Sequence, residues 1–132
     1  MTQVALSPSE AELRALVDRF YARVREDELI GPVFNDAVHD WPEHLAKLGD
    51  FWSSVMLTTG QYKGNPMAAH LKHRGRIDPA MFDRWLHLWR DTARDMLSED
   101  AARMVADKAD RIAESLKLGL FFRIGRDGRA VS

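Results

Sequence analysis

The segment from Tyr62 to Arg76 most constrains the fold, because it contains a helix too short to be stable by itself. A Gly-Asn pair favours a turn, and Pro66 suits the first helical position, where its missing N–H leaves no hydrogen bond unmade. Residues 67–71 then extend the helix for about two turns, and Gly75 is predicted to end it. A helix of this length needs a large partner to pack on. It carries His70 toward that partner.

Composition indicates one domain over residues 1–132, with flexible ends predicted at 1–8 and 123–132. The formal net charge is −1, which favours neither nucleic acid nor a membrane surface as partner. No apolar run could span a bilayer and the amino terminus lacks a signal pattern, so we expect a soluble, cytoplasmic protein. The absence of cysteine excludes thiolate metal sites, catalytic thiols and a covalently attached c-type haem.

The first long helix is predicted from a capping box at Ser7-Pro8-Ser9-Glu10. Apolar residues follow at helical spacing: Leu13, Leu16, Val17, Phe20, Tyr21 and Val24. Tyr21 therefore lies on the buried stripe, with its hydroxyl directed inward. Gly31-Pro32 is predicted to end this helix, and a connector of a single turn is expected to follow.

Three further start signals are Asp40, Asp78 and Ser98, each placed to cap a helix. The stripes that follow them are Trp41, His44, Leu45, Leu48, Phe51, Trp52, Val55 and Met56; Phe82, Trp85, Leu86, Trp89, Ala93 and Met96; and Ala102, Val105, Ala109, Ile112, Leu116 and Leu120. No segment alternates as a strand would. The sequence predicts an all-α fold of five or six helices.

Polar groups on these apolar stripes are candidates for a site, namely Tyr21, His44 and Trp85. Each also suits an ordinary core, with its polar atom bonded to a backbone carbonyl. His70 is the stronger candidate, because packing against protein alone does not justify its short helix. His70 and His73 could instead share a metal, although no HExxH and no zinc spacing is present. The simplest arrangement is a flat apolar cofactor whose metal is held by His70, opposite His44 and Leu48.

Several runs, in order, resemble one family. They are Phe20-Tyr21, Gly31-Pro32-Val33-Phe34-Asn35, Trp41 through His44 to Phe51-Trp52, Tyr62-Lys63-Gly64-Asn65-Pro66 with His70, and Phe82 to Trp85-Leu86. The chain resembles a truncated haemoglobin over roughly Ala11 to Phe122, and it is most similar to the third group of that family. The glycine pairs typical of the first two groups are missing.

The resemblance implies a shortened globin fold, a two-over-two helical sandwich around a non-covalent b-type haem. It implies that His70 is the proximal iron ligand. The expected distal residues are Tyr21, His44, Leu48 and Trp85, and the expected cofactor contacts are Phe34, Phe51, Met67, His70 and Phe82. Candidates for the haem propionates, or otherwise simple surface charges, are Lys63, Lys72, His73, Arg74 and Arg76.

The first functional hypothesis is binding of dioxygen and other diatomic ligands, with Tyr21 and Trp85 as hydrogen-bond donors and His44 as a gate or second ligand. Two donors suit slow oxygen release, and hence oxygen chemistry or scavenging rather than bulk oxygen transport. The alternative is a nitric oxide dioxygenase or peroxidase-like enzyme that needs a separate reductase. A haem-based sensor or a haem-free helical interaction module is a third hypothesis.

Overall fold

The computed structural model of the protein describes residues 7–121, and within them all regular structure is helical. The helices are α1 (Glu10–Glu26), α2 (Gly31–Ala37), α3 (Trp41–Leu57), α4 (Pro66–Leu71), α5 (Pro79–Met96) and α6 (Glu99–Phe121), with a 3-10 helix at Arg74–Arg76. The all-α prediction is confirmed. The predicted flexible ends, at 1–8 and 123–132, lie outside the described residues except for Ser7 and Pro8. Phe122 lies outside them as well.

The predicted start signals of three long helices are confirmed by their side-chain caps. The Asp40 carboxylate accepts from the backbone N–H of Glu43 at 3.1 Å, and Asp78 accepts in the same way from Met81 at 3.1 Å. The Ser98 hydroxyl accepts from the backbone N–H of Ala101 at 3.2 Å. Each cap satisfies a donor that has no partner inside its own helix.

The predicted start of α1 was two residues too early. Ser9 is the capping residue: its hydroxyl accepts from the N–H of Glu12, whose carboxylate accepts from the N–H of Ser9 at 2.8 Å. The Ser-x-x-Glu pattern that forms this reciprocal box begins at Ser9, not at Ser7. Pro8 lies before the helix and is fully buried.

Two predicted helix stops were also wrong. The carboxylate of Asp27 accepts from the N–H groups of Leu29 and Ile30, both at 3.0 Å, so α1 has already ended when Gly31 is reached. Gly31-Pro32 instead begins α2, which suits proline in the first turn. Gly75 does not end α4 either, because it lies inside the 3-10 helix that follows.

The four long helices pack as two pairs, α1 with α3 and α5 with α6, and α1 also packs on α5. Trp52 of α3 stacks on Trp89 of α5, with ring centroids 4.3 Å apart, and the Trp89 indole donates to the carbonyl of Val105 in α6 at 3.0 Å. Burial of this aromatic centre stabilises the junction of all four helices. The arrangement is the predicted two-over-two sandwich.

The short α4 packs on α6. None of the helices described here is long and apolar enough to cross a membrane.

Candidate functional site

Tyr21 lies at the centre of the cluster predicted for the distal face. Its side chain is only 3% exposed, and its oxygen accepts a hydrogen bond from the indole N–H of Trp85 at 3.4 Å. This is long for an N–H···O bond. Trp85 itself is partly exposed. The sequence predicted the burial of Tyr21, but it did not predict that the two polar groups would bond to each other.

The environment of Tyr21 keeps the phenol neutral. Burial raises the pKa of Tyr21 to about 12, and the hydrogen bond from Trp85 acts weakly in the opposite direction. A neutral phenol whose oxygen accepts one hydrogen bond still has its own O–H to donate. The cluster can therefore direct one hydrogen bond at a small ligand beside it.

His44 and Trp41 of α3 form a second side of this cluster. The His44 ring is 6.2 Å from that of Tyr21 and 5.6 Å from that of Trp41, in edge-to-face contacts. Burial lowers the pKa of His44, and the charge of Lys47 lowers it further, so the imidazole is neutral at pH 7. Neutral imidazole can donate to a ligand or bind a metal.

The guanidinium of Arg25 lies over the Trp41 ring, 4.6 Å from its centre, which is a cation–π contact. Neither residue was predicted from the sequence to belong to a site. Trp41 could have been identified, since it lies three residues before His44 and so shares its helical face. Nothing local in the sequence pointed to Arg25, because its contact depends on how α1 and α3 cross.

The remaining distal and aromatic candidates divide into two sets. Phe34 joins the cluster, with its ring 5.7 Å from that of Tyr21. Leu48 is half-buried and packs against the core. Phe51 packs edge-to-face on Tyr62 at 5.2 Å and on Trp52 at 5.6 Å. It therefore belongs to the neighbouring aromatic group between α3 and the loop that follows it.

His70 on α4 is oriented by its own helix. Its Nδ1 lies 2.7 Å from the carbonyl oxygen of Pro66. A carbonyl can only accept, so Nδ1 carries the proton and Nε2 keeps its lone pair for a metal. The ring also stacks on Phe82 of α5, with centroids 6.3 Å apart and planes inclined by 25°. Phe82 in turn meets the edge of Phe121.

The donor set around His70 suits haem iron. Burial lowers the pKa of His70, partly offset by the hydrogen bond to Pro66, so the imidazole is neutral, as a histidine must be to bind a metal. Among residues 7–121 no group of three or more His, Asp or Glu side chains could hold a metal ion. The alternative of a metal chelated by side chains, with His70 and His73 as a pair, therefore has no third ligand in this part of the chain. A single histidine beside apolar and aromatic groups matches a metal brought by a porphyrin.

Two other predictions concern the edges of this region. Met67, expected at the cofactor, is half-buried with its thioether packed against Gly119 of α6. Of the basic residues considered for the propionates, Arg76 forms an ion pair with Asp36 at 3.0 Å. Lys63 and Lys72 are exposed.

Comparison with known proteins identifies the family. The profile described as "Bacterial-like globin" matches residues 8–117. This chain is a bacterial-like globin. It is 30% identical over 117 residues to a protein named "Group 3 truncated hemoglobin ctb" from Campylobacter jejuni, covering 86% of this chain and 91% of that protein.

A solved structure gives the same result for the fold of this globin. The crystal structure of a group III truncated haemoglobin from Campylobacter jejuni superposes with a TM-score of 0.78 at 29% identity, covering 90% of this chain and 96% of that one. The predicted resemblance to group 3 truncated haemoglobins is confirmed. Membership of the family indicates haem-based binding of ligands.

Proposed function

We propose that this globin binds dioxygen and other diatomic ligands reversibly at the iron of a non-covalent b-type haem. His70 would hold the iron, and the Tyr21 hydroxyl would donate to the ligand on the opposite face. The observation that supports this most is the hydrogen bond that the half-buried Trp85 donates to the buried Tyr21. It leaves one neutral O–H donor in an apolar surrounding, which is what a small ligand with developing negative charge needs.

Ferrous haem would supply the open coordination position at which a diatomic molecule binds. The contribution of His70 is a fixed Nε2 lone pair, since the hydrogen bond from Nδ1 to Pro66 sets both the tautomer and the ring orientation. Phe82 limits rotation of the imidazole by stacking on one face.

The distal residues would select and retain the ligand. The Tyr21 phenol stays neutral at physiological pH, so it donates rather than repels. Trp85 polarises the phenol by donating to its oxygen, which strengthens the hydrogen bond that Tyr21 makes onward. Phe34 packs on the Tyr21 ring and limits its movement. The half-buried Leu48 is proposed to lie beside the ligand.

His44 is proposed to control access to the site. It is half-buried at the margin of the cluster, between Tyr21 and Trp41. Two roles fit that position. The imidazole can swing outward to admit a ligand, or it can bind the iron itself when no ligand is present.

The surroundings of His70 favour reversible binding over a peroxidase-like reaction. Its Nδ1 donates to a neutral backbone carbonyl and not to a carboxylate, so the imidazole gains little anionic character. A more electron-rich axial ligand promotes O–O cleavage. Nitric oxide dioxygenation remains the alternative activity. It would require electrons from a separate reductase.

Absorption spectra of the ferric, ferrous and ferrous–carbon monoxide protein test the proposal. We expect a ferrous form that binds dioxygen and releases it unchanged on removal of oxygen, and a ferrous protein that does not bind it would refute the proposal.

Rapid mixing of the oxygenated protein with nitric oxide, followed by reduction, tests the dioxygenase alternative. Sustained turnover with a reductase would support that activity. The cytoplasmic location stays a prediction, which cell fractionation would test.

A further inference from the structure

Gly119 occupies a position in α6 at which the backbone does not require glycine. It lies two residues before the last residue of the helix, Phe121. Its backbone is helical, and the positive-φ glycine in the described part of the chain is Gly60. Glycine within a helix is less favourable than alanine. Side-chain packing, and not backbone conformation, therefore explains a glycine at this position.

The packing partner is Met67 of α4. A Cβ atom added to Gly119 would lie 2.6 Å from the Met67 sulfur and closer still to its methyl carbon. Both separations are far shorter than a van der Waals contact. The thioether of Met67 therefore fills the space that any side chain at position 119 would need.

This contact bears on His70 through the geometry of α4. Met67 precedes His70 by three residues, so the two side chains lie on adjacent positions of one helical face. α4 has six residues and cannot hold its position by intrinsic helix stability. It packs on α6, and the seat at Gly119 is where its Met67 side chain meets that helix.

We infer that Met67 and Gly119 form a size-matched seat that sets the position of α4, and that Gly119 thereby positions the proximal histidine. The inference about His70 rests on the proposed haem ligation, whereas the seat itself does not. Gly119 is a positioning residue that acts through Met67. A side chain at position 119 displaces the flexible thioether from this seat, and α4 then loses the contact of Met67 with α6.

The test is a double-mutant cycle of Gly119→Ala and Met67→Ala in the haem-loaded protein. In the original background, Gly119→Ala should make the amides of segment 66–73 exchange about tenfold faster, since overpacking destabilises the docked helix. It should also shift or broaden the iron–histidine stretching band of the ferrous form. In the Met67→Ala background the same substitution should change neither, because its steric partner is gone.

Gly75→Ala is the matched control, because a Cβ at Gly75 meets nothing within 4 Å. It should leave both measurements unchanged. Equal effects of Gly119→Ala in the two backgrounds, or no effect in either, would show that Met67 and Gly119 do not form such a seat. If the iron–histidine band persists in His70→Gly, the ligand assignment is refuted instead. In that case amide exchange alone still decides whether the seat exists.

Discussion

The indole N–H of Trp85 in α5 donates to the phenol oxygen of Tyr21 in α1, across 3.4 Å. The sequence alone predicts two independent donors at these positions. In the structure they form a series, in which Trp85 acts on Tyr21 and Tyr21 keeps an O–H for a further acceptor. This difference changes what substitutions at the two positions should do.

Tyr21→Phe should speed release of dioxygen by about tenfold to a hundredfold, because a hydrogen bond to a charged acceptor is worth roughly 1.5–3 kcal/mol. The ring is kept, so association should change little. Dioxygen gains negative charge on binding and carbon monoxide gains little, so release of carbon monoxide should be much less affected. Stopped-flow dissociation of both gases measures this. Water in the vacated position would reduce the effect. Unchanged oxygen release would return Tyr21 to a purely structural role.

Trp85→Phe should also speed oxygen release, but its effect should depend on Tyr21. If Trp85 acts through the phenol, adding Trp85→Phe to Tyr21→Phe should change oxygen release little beyond the single Tyr21 variant. A direct bond from Trp85 to the ligand would make the two effects additive. The same dissociation measurement on the double variant separates these outcomes.

The pH dependence of stability should report His44. Burial lowers the pKa of His44 in the folded protein, so the unfolded chain takes up a proton more readily. Stability from this group is therefore present above about pH 6.5 and is lost as the pH falls from there toward the lower native pKa. Thermal midpoints of the original protein should fall across this range. The decline should be smaller in His44→Leu, and equal slopes would contradict the assignment.

Association kinetics should report the gating role of His44. A protonated imidazole is less stable in the half-buried position and should turn toward water, which opens the site. We expect carbon monoxide association to quicken as the pH falls through the lowered pKa of His44, and His44→Leu to remove that dependence. An unaltered pH profile in His44→Leu would show that another group controls access.

His70→Gly should leave a folded chain that retains haem weakly and regains it when imidazole is added, because only the axial ligand is lost. His73→Gly is the control. His73 lies three residues after His70, and its backbone N–H donates to the backbone carbonyl of His70. We expect the His73→Gly variant to keep the iron–histidine signal. The ferrous absorption and resonance Raman spectra of both variants decide between the two. The opposite pattern would make His73 the ligand.

Tyrosine titration tests the burial of Tyr21 directly, since the chain has two tyrosines. Tyr21 should ionise near pH 12, and Tyr62, whose pKa burial also raises, should ionise earlier. Tyr21 is harder to ionise in the folded protein than in the unfolded chain. Its contribution to stability is thus complete below about pH 10 and lost above that. The near-ultraviolet titration of Tyr21→Phe should lack the ionisation step near pH 12. If that step is retained, it belongs to Tyr62.

Much of the architecture was predictable because helix formation is governed by neighbours in the sequence. Apolar spacing and the caps at Asp40 and Asp78 located α3 and α5 correctly. The errors came from short-range competition that spacing does not reveal. Asp27 caps the backbone after α1 with its own carboxylate, so Gly31-Pro32 begins a helix rather than ending one.

The candidate site was predictable in part, for the same reason. Helical periodicity placed Tyr21 on a buried face, which the structure confirms, and it made His70, on its short helix, the candidate metal ligand. The bond from Trp85 to Tyr21, the contact of Arg25 with Trp41 and the seat of Met67 at Gly119 were decided by tertiary structure alone. Each joins residues on different helices. Such contacts depend on how the helices cross and on side-chain rotamers, neither of which is encoded in the spacing of residues along one helix.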